Sequence, residues 1–86
     1  MTVTPGTRRD LAEGEFALEQ GEYGKDPEGF WMCRVPAPGF GVGALGNHTV
    51  VEHEDGTITV SPSILCYGHH YKQCHGYLQR GIWREI

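Results

Sequence analysis

Residues 48–61 read His48-Thr-Val-Val-Glu-His53-Glu-Asp-Gly56-Thr-Ile-Thr-Val-Ser61, and the fold is decided there. Val50, Val51, Ile58 and Val60 are β-branched residues of the kind that fit a pleated, half-buried surface. Between them stands Asp55-Gly56, the dipeptide that marks a tight hairpin because both residues tolerate positive φ. A two-residue type I′ turn would set Val51 opposite Val60 and His53 opposite Ile58 on one side. Glu52 would then face Thr59 and Glu54 would face Thr57 on the other. One side would be core and the other would meet water.

The pattern continues in both directions. Downstream, Ile64-Leu65 is a short apolar run expected to be buried, and 66–73 reads as a polar, aromatic and imidazole-rich loop. Residues 74–86 form a second hairpin, turning at Gln79-Arg80-Gly81 with Gly81 in the left-handed position of a G1 bulge. Upstream, Phe30-Trp-Met-Cys-Arg-Val35 is a strand stopped by Pro36 and Pro38 and paired with the strand before it. Gly39-Phe-Gly-Val-Gly-Ala-Leu-Gly46 alternates glycine with larger residues, so an extended chain would present one bare face to close packing or to a ligand. Residues 21–29 read as a loop. Between Thr7 and Gln20, Gly14 interrupts a helical pattern, and a short coil over 8–13 followed by a strand carrying Phe16 and Leu18 is the preferred reading.

Thirteen glycines and five prolines leave little room for helices. The expected architecture is mainly β: a small antiparallel barrel or sandwich of about five to seven short strands, with at most one short N-terminal helix. With 86 residues, 38% of them apolar, a single domain over 1–86 is expected, and so small a core also leaves room for a homo-oligomer. The formal charge is −4, and the basic residues are scattered apart from Arg8-Arg9, which reads as a solvated pair. Nucleic-acid binding needs clustered cations, so no nucleic-acid partner is expected. No apolar run approaches the roughly 20 residues that span a bilayer, so no membrane partner is expected either. The first residues lack the pattern of a secretory signal, and three cysteines cannot all pair, which points to a reducing, cytoplasmic setting.

The sharpest chemical constellation is Cys66-Tyr-Gly-His69-His70-Tyr-Lys-Gln-Cys74-His75. Cys66 and His69 have a spacing from which two side chains of one turn reach one zinc ion, and Cys74 or His75 could complete the set, with Cys33 and His53 as further candidates. The paired C-x2-C knuckles of zinc ribbons are missing. Two other readings stay open: small buried cysteines beside an exposed loop, or a Cys66–Cys74 disulfide that leaves Cys33 free. Cys74-His75 adjacency is weak grounds for a nucleophile, because consecutive strand residues point to opposite faces. No catalytic residue is assigned, and zinc is the sole cofactor considered. Trp31 and Trp83 read as core. Tyr67, His70 and Tyr71 are the candidate binding residues, since tyrosine buries much area at little rotamer cost.

The segments His53-Glu-Asp-Gly-Thr-Ile-Thr-Val-Ser-Pro-Ser-Ile-Leu65 and Cys74-His-Gly-Tyr-Leu-Gln-Arg-Gly-Ile-Trp83 resemble a family of small uncharacterised proteins common in bacteriophages of actinobacteria. That family shares a Ser-Pro-Ser-Ile strand and a closing His-Gly-aromatic-Leu-x-x-Gly-x-Trp hairpin, and the resemblance covers roughly Gly29 to Glu85. It implies a cytoplasmic accessory or virion protein and not a metabolic enzyme. Together with the small size and the lack of a catalytic motif, it leads to the expectation of a non-enzymatic accessory protein in the bacterial host cell that binds a macromolecular partner, a host protein first of all. A minor capsid or decoration protein of the virion, and a zinc-stabilised module or zinc-dependent enzyme, are the alternatives.

Overall fold

The computed structural model describes residues 2–15, 17–68 and 73–86. It contains nine strands and, among the described residues, no helix: β1 Thr2–Pro5, β2 Thr7–Arg8, β3 Glu22–Lys25, β4 Trp31–Cys33, β5 Gly43–Ala44, β6 Thr49–Glu52, β7 Ile58–Tyr67, β8 Gln73–Gln79 and β9 Ile82–Glu85. They form a five-stranded sheet in the order β1-β9-β8-β7-β6 and a four-stranded sheet in the order β2-β3-β4-β5. The mainly β expectation holds, and the extra strands are two-residue pieces, β2 and β5, that sequence patterns do not resolve.

The first strand serves both sheets. β1 pairs with β9, the chain bends at Gly6, and β2 runs parallel to β3. Gly6 fits because its N–H donates to Gly81 O at 2.7 Å while a Cβ there would stand 2.8 Å from that same carbonyl oxygen. Trp83 of β9 makes the second link: its Nε1–H donates to Gly21 O, immediately before β3, at 2.9 Å in a buried position. On this side the sheets are stitched together. On the other side, β5 and β6 end their sheets with no strand between them among the described residues.

The core lies between the sheets and joins Tyr23, Cys33, Val35, Phe40 and Leu45 to Ile58, Val60, Ile64, Leu78 and Trp83. Trp83 is core as expected, whereas Trp31 is half-buried at its margin. The strand expected around Phe16 and Leu18 is replaced by irregular chain; Phe16 itself lies outside the described residues. Arg9 donates to Ala17 O and Arg34 to Leu18 O, and these bonds pin a segment in which Leu11 and Leu18 are buried apart from the main cluster. β4 pairs on one side with β5 and on the other with β3, inside the stretch that reads as a loop. Gly24 is what the pattern hides: a Cβ there would sit 2.2 Å from Arg9 O, so only glycine lets the N-terminal segment cross so closely.

Both hairpins form, each with the other's expected turn. His53 N–H donates to Thr57 O at 2.8 Å and Gly56 N–H to His53 O at 3.0 Å, closing a three-residue loop with Gly56 at φ 87°. The register is therefore Val50 with Val60 and Glu52 with Ile58, shifted by one residue from the type I′ expectation. Such a shift exchanges the faces, which turns Val51 outward and Val50 inward. The closing hairpin pairs Gln79 with Ile82 and leaves the two-residue loop Arg80-Gly81, with φ 47° and 75°, the signature of type I′.

A candidate binding cleft at the open seam

The described residues that could carry function gather on the open side of the sandwich, and the glycine-rich segment is the reason. Arg34 reaches over from the end of β4 and donates to Phe40 O at 3.0 Å, anchoring the start of that segment. Phe40 and Leu45 turn into the core, while Gly41, Gly43 and Gly46 have nothing within 4 Å of where a Cβ would stand. The bare face expected from the sequence therefore opens outward and, among the described residues, is not packed against the chain itself. Opposite it runs the second half of β7. A cleft of about 230 Å³ lies between Phe40–Leu45 and Ile64–Tyr67, with Cys33 and Val35 in its wall. Gly68 packs at this end, since a Cβ there would meet Gly39 O at 2.7 Å and the Phe40 ring at 3.1 Å.

Around Ala44, Leu45 and His48, which line both spaces, the cleft meets a wider groove of about 510 Å³ formed with Phe30, Trp31, Met32 and Val50. His48 is held by Nε2 against Ser63 O at 3.3 Å. A carbonyl oxygen only accepts, so Nε2 is the nitrogen that donates. The ring's Nδ1 is buried and has no partner among the described residues. A buried polar atom without a partner has lost its hydration for nothing in return, at a cost of about 1–3 kcal/mol.

At the far end of the groove the Trp31 ring carries two cations, with Arg8 at 4.9 Å and Lys25 at 5.0 Å from its centroid. Both are held by acids. Arg8 bonds Asp10 and Glu52 at 2.8 Å each, and Lys25 reaches Glu52 at 3.4 Å. The hydrogen bonds that Arg8 donates to Asp10 first, and to Glu52 after it, hold its guanidinium protonated more firmly than usual; the same bonds lower the carboxyls of Asp10 and Glu52. Arg8 is thus a structural cation tying β2 to β6, which corrects its reading as a solvated residue.

The expected site residues separate. Tyr67 ends β7 at the rim of the cleft, 69% exposed. His70, Tyr71 and His69 lie outside the described residues. Cys66 and Cys74 are direct cross-strand partners on the inner face, but His75 points from the outer face, where its Nε2 lies 2.7 Å from Ser63 Oγ. Alternation along β8 thus keeps Cys74 and His75 from sharing one ion. Among the described residues no three His, Cys, Asp or Glu side chains come together as a metal site requires. Burial pushes the Cys33 thiol up to about 12, and burial with the Glu85 charge pushes Cys74 up to about 11; burial also raises Cys66. Such thiols stay protonated at neutral pH, unlike an activated nucleophile. The Ser63–His75 pair has no carboxylate bonded to the imidazole among the described residues.

Comparison of the chain with protein-family models, curated proteins and solved structures gives no match. Among the described residues, no helix is long and apolar enough to cross a membrane.

The aromatic, imidazole-rich run directs attention to the residues around Tyr67, yet the glycine-rich wall and His48 contribute as much to the cleft. His48 gives no signal in the sequence: one histidine in a polar turn has no pattern. The glycine alternation is the signal that finds the opposite wall.

Proposed function

We propose that this chain is a non-enzymatic accessory protein that binds a protein partner in the cleft between its glycine-rich segment and the end of β7. The observation that carries the reading is the meeting of two adjoining spaces with apolar walls at Ala44, Leu45 and His48, in the seam where β5 and β6 end their sheets. Apolar walls supply affinity through area removed from water, and a few placed polar atoms fix orientation. Tyr67 at the rim offers an exposed ring of the kind that anchors protein interfaces. The phage resemblance adds the setting, a bacterial host cell and a host protein as partner.

The test compares capture of the same partner band from an actinobacterial lysate by the wild-type chain, Tyr67→Ala and Ala44→Trp. Ala44 is exposed and lines both spaces, so tryptophan there obstructs the cleft from the surface. Loss of the band in both variants, with unchanged melting, supports the reading; a band undiminished in both removes it. A zinc-bearing variant of the reading starts from Cys66 and Cys74, which face each other across β7 and β8, and metal analysis of the purified chain decides it.

A further inference from the structure

Among the described residues, β6 reaches the seam with one backbone edge open. In an antiparallel ladder, residues that exchange hydrogen bonds with the neighbour alternate with residues whose N–H and C=O point the other way. The bond from His53 N–H to Thr57 O makes 53/57 a bonded pair. With the register Val51–Thr59 and Thr49–Ser61, those pairs are bonded too. Val50 and Glu52 therefore aim their N–H and C=O groups away from β7, and β6 is the last strand of its sheet. β5 repeats the situation: Leu45 N–H donates to Trp31 O, so alternation turns the backbone of Ala44 toward the same seam.

Unpaired strand edges are templates for another strand. The chemistry around this one selects its occupant. Beside Val50 lies the apolar groove, where Phe30 stands 61% exposed. Where the ends of β3 and β6 meet, with Lys25 3.4 Å from Glu52, the turns that follow carry carboxylates: Asp26 and Glu28 after β3, and Glu54 and Asp55 after β6. None of the four is in an ion pair among the described residues, and the cations nearest the groove, Arg8 and Lys25, are taken by Asp10 and Glu52. Arg80 lies beside Glu54 and Asp55 and offsets part of this charge. The balance at that end is negative, as is the whole chain at −4.

We propose that the free edge of β6 takes up one extended segment of a basic partner protein as an added strand. Its N–H and C=O groups pair with Val50 and Glu52, an apolar side chain enters the groove, and lysine or arginine side chains face the acidic turns. A second copy of this chain fits less well, because it would bring the same four carboxylates to the same place. The inference rests on the binding reading above and specifies the partner's chemistry.

The experiment uses the full chain and a labelled, end-blocked synthetic peptide of about eight residues, alternating valine and lysine, long enough to pair along all of β6. Anisotropy measures binding, and amide hydrogen exchange is followed residue by residue. The free protein should exchange Val50 and Glu52 rapidly and Val51 slowly. Saturating peptide should slow Val50 and Glu52 by about tenfold or more, since each amide becomes part of a ladder. A peptide with glutamate in place of lysine should bind about tenfold or more weakly at low salt, and added salt should weaken the lysine peptide. Val50→Pro, which removes an edge donor without breaking a bond to β7, and Ala44→Trp, which fills the groove from the surface, should both lose binding. Failure of the valine-lysine peptide to bind, binding with no change at Val50 and Glu52, or exchange slowed by self-association without peptide would each overturn the proposal. If the peptide fails while Tyr67→Ala and Ala44→Trp still lose the lysate partner, the strand-addition inference falls and the cleft reading stands. If both fail, both fall.

Discussion

Replacing Trp83 by phenylalanine tests the physical link on which the two-sheet architecture rests. Trp83 is 3% exposed, and its Nε1–H closes a buried 2.9 Å bond to Gly21 O across 62 residues of sequence. The carbonyl keeps one donor, Thr7 N–H at 3.2 Å, so it is not orphaned and the lost bond contributes about 1 kcal/mol. Phenylalanine also leaves part of the indole volume empty, which adds about 1–2 kcal/mol because packed surroundings relax only partly. The sum, about 2–3 kcal/mol, is expected to lower the melting temperature by about 10–20 °C for a domain of this size. Circular dichroism melts and urea titrations at neutral pH would measure it. Trp31→Phe serves as the comparison: half-buried, and without a hydrogen bond among the described residues, it should cost clearly less. A loss under about 0.5 kcal/mol for Trp83→Phe, or an equal loss at both positions, would refute the reasoning.

Further outcomes follow from the same geometry. Gly24→Ala would press a methyl group to within 2.2 Å of Arg9 O and should cost about 3 kcal/mol, whereas Gly43→Ala meets nothing within 4 Å and should leave the urea midpoint nearly unchanged. Cys33 and Cys74, raised to about 12 and 11, should resist iodoacetamide at pH 7 in the folded protein and react once urea unfolds it. The same thiols set a sign for stability against pH. Above their ordinary value of 9.0 the unfolded chain ionises them while the folded chain holds their protons, so stability is intact below pH 9 and falls as pH rises toward 12. Urea midpoints that rise over that interval would contradict it.

Much of the fold is legible in residues 48–61 and 74–86, because alternation of β-branched residues around Gly-containing turns admits few alternatives. Register is not, since Asp-Gly serves equally as the two centres of a type I′ turn and as the last two residues of a three-residue loop. The choice depends on whether His53 closes on Thr57 or Glu54 does, and that is settled by burial of Val50, Ile58 and Val60 together. Arg80 at φ 47° is the reverse case, a residue with a Cβ held where glycine or asparagine is usual. β3 stayed hidden because Gly24, needed for a backbone crossing, looks the same as a loop glycine. The site was half legible. Tyr67 and the glycine alternation both reach the cleft, but the Cys/His run divides between two faces of β8 once strand alternation is applied. His48 becomes meaningful only when the fold sets it against Ser63 O, between the two spaces.

The most direct test of the central claim places a photo-crosslinking amino acid at Ala44, which lines both the cleft and the groove, and for comparison at Glu13, exposed and outside both. Irradiation in an actinobacterial lysate should join a protein to position 44 and not to position 13, with the crosslinked segment of the partner extended, basic and carrying an apolar residue. Equal labelling at both positions, or none at position 44, would contradict the claim that this seam is the binding site.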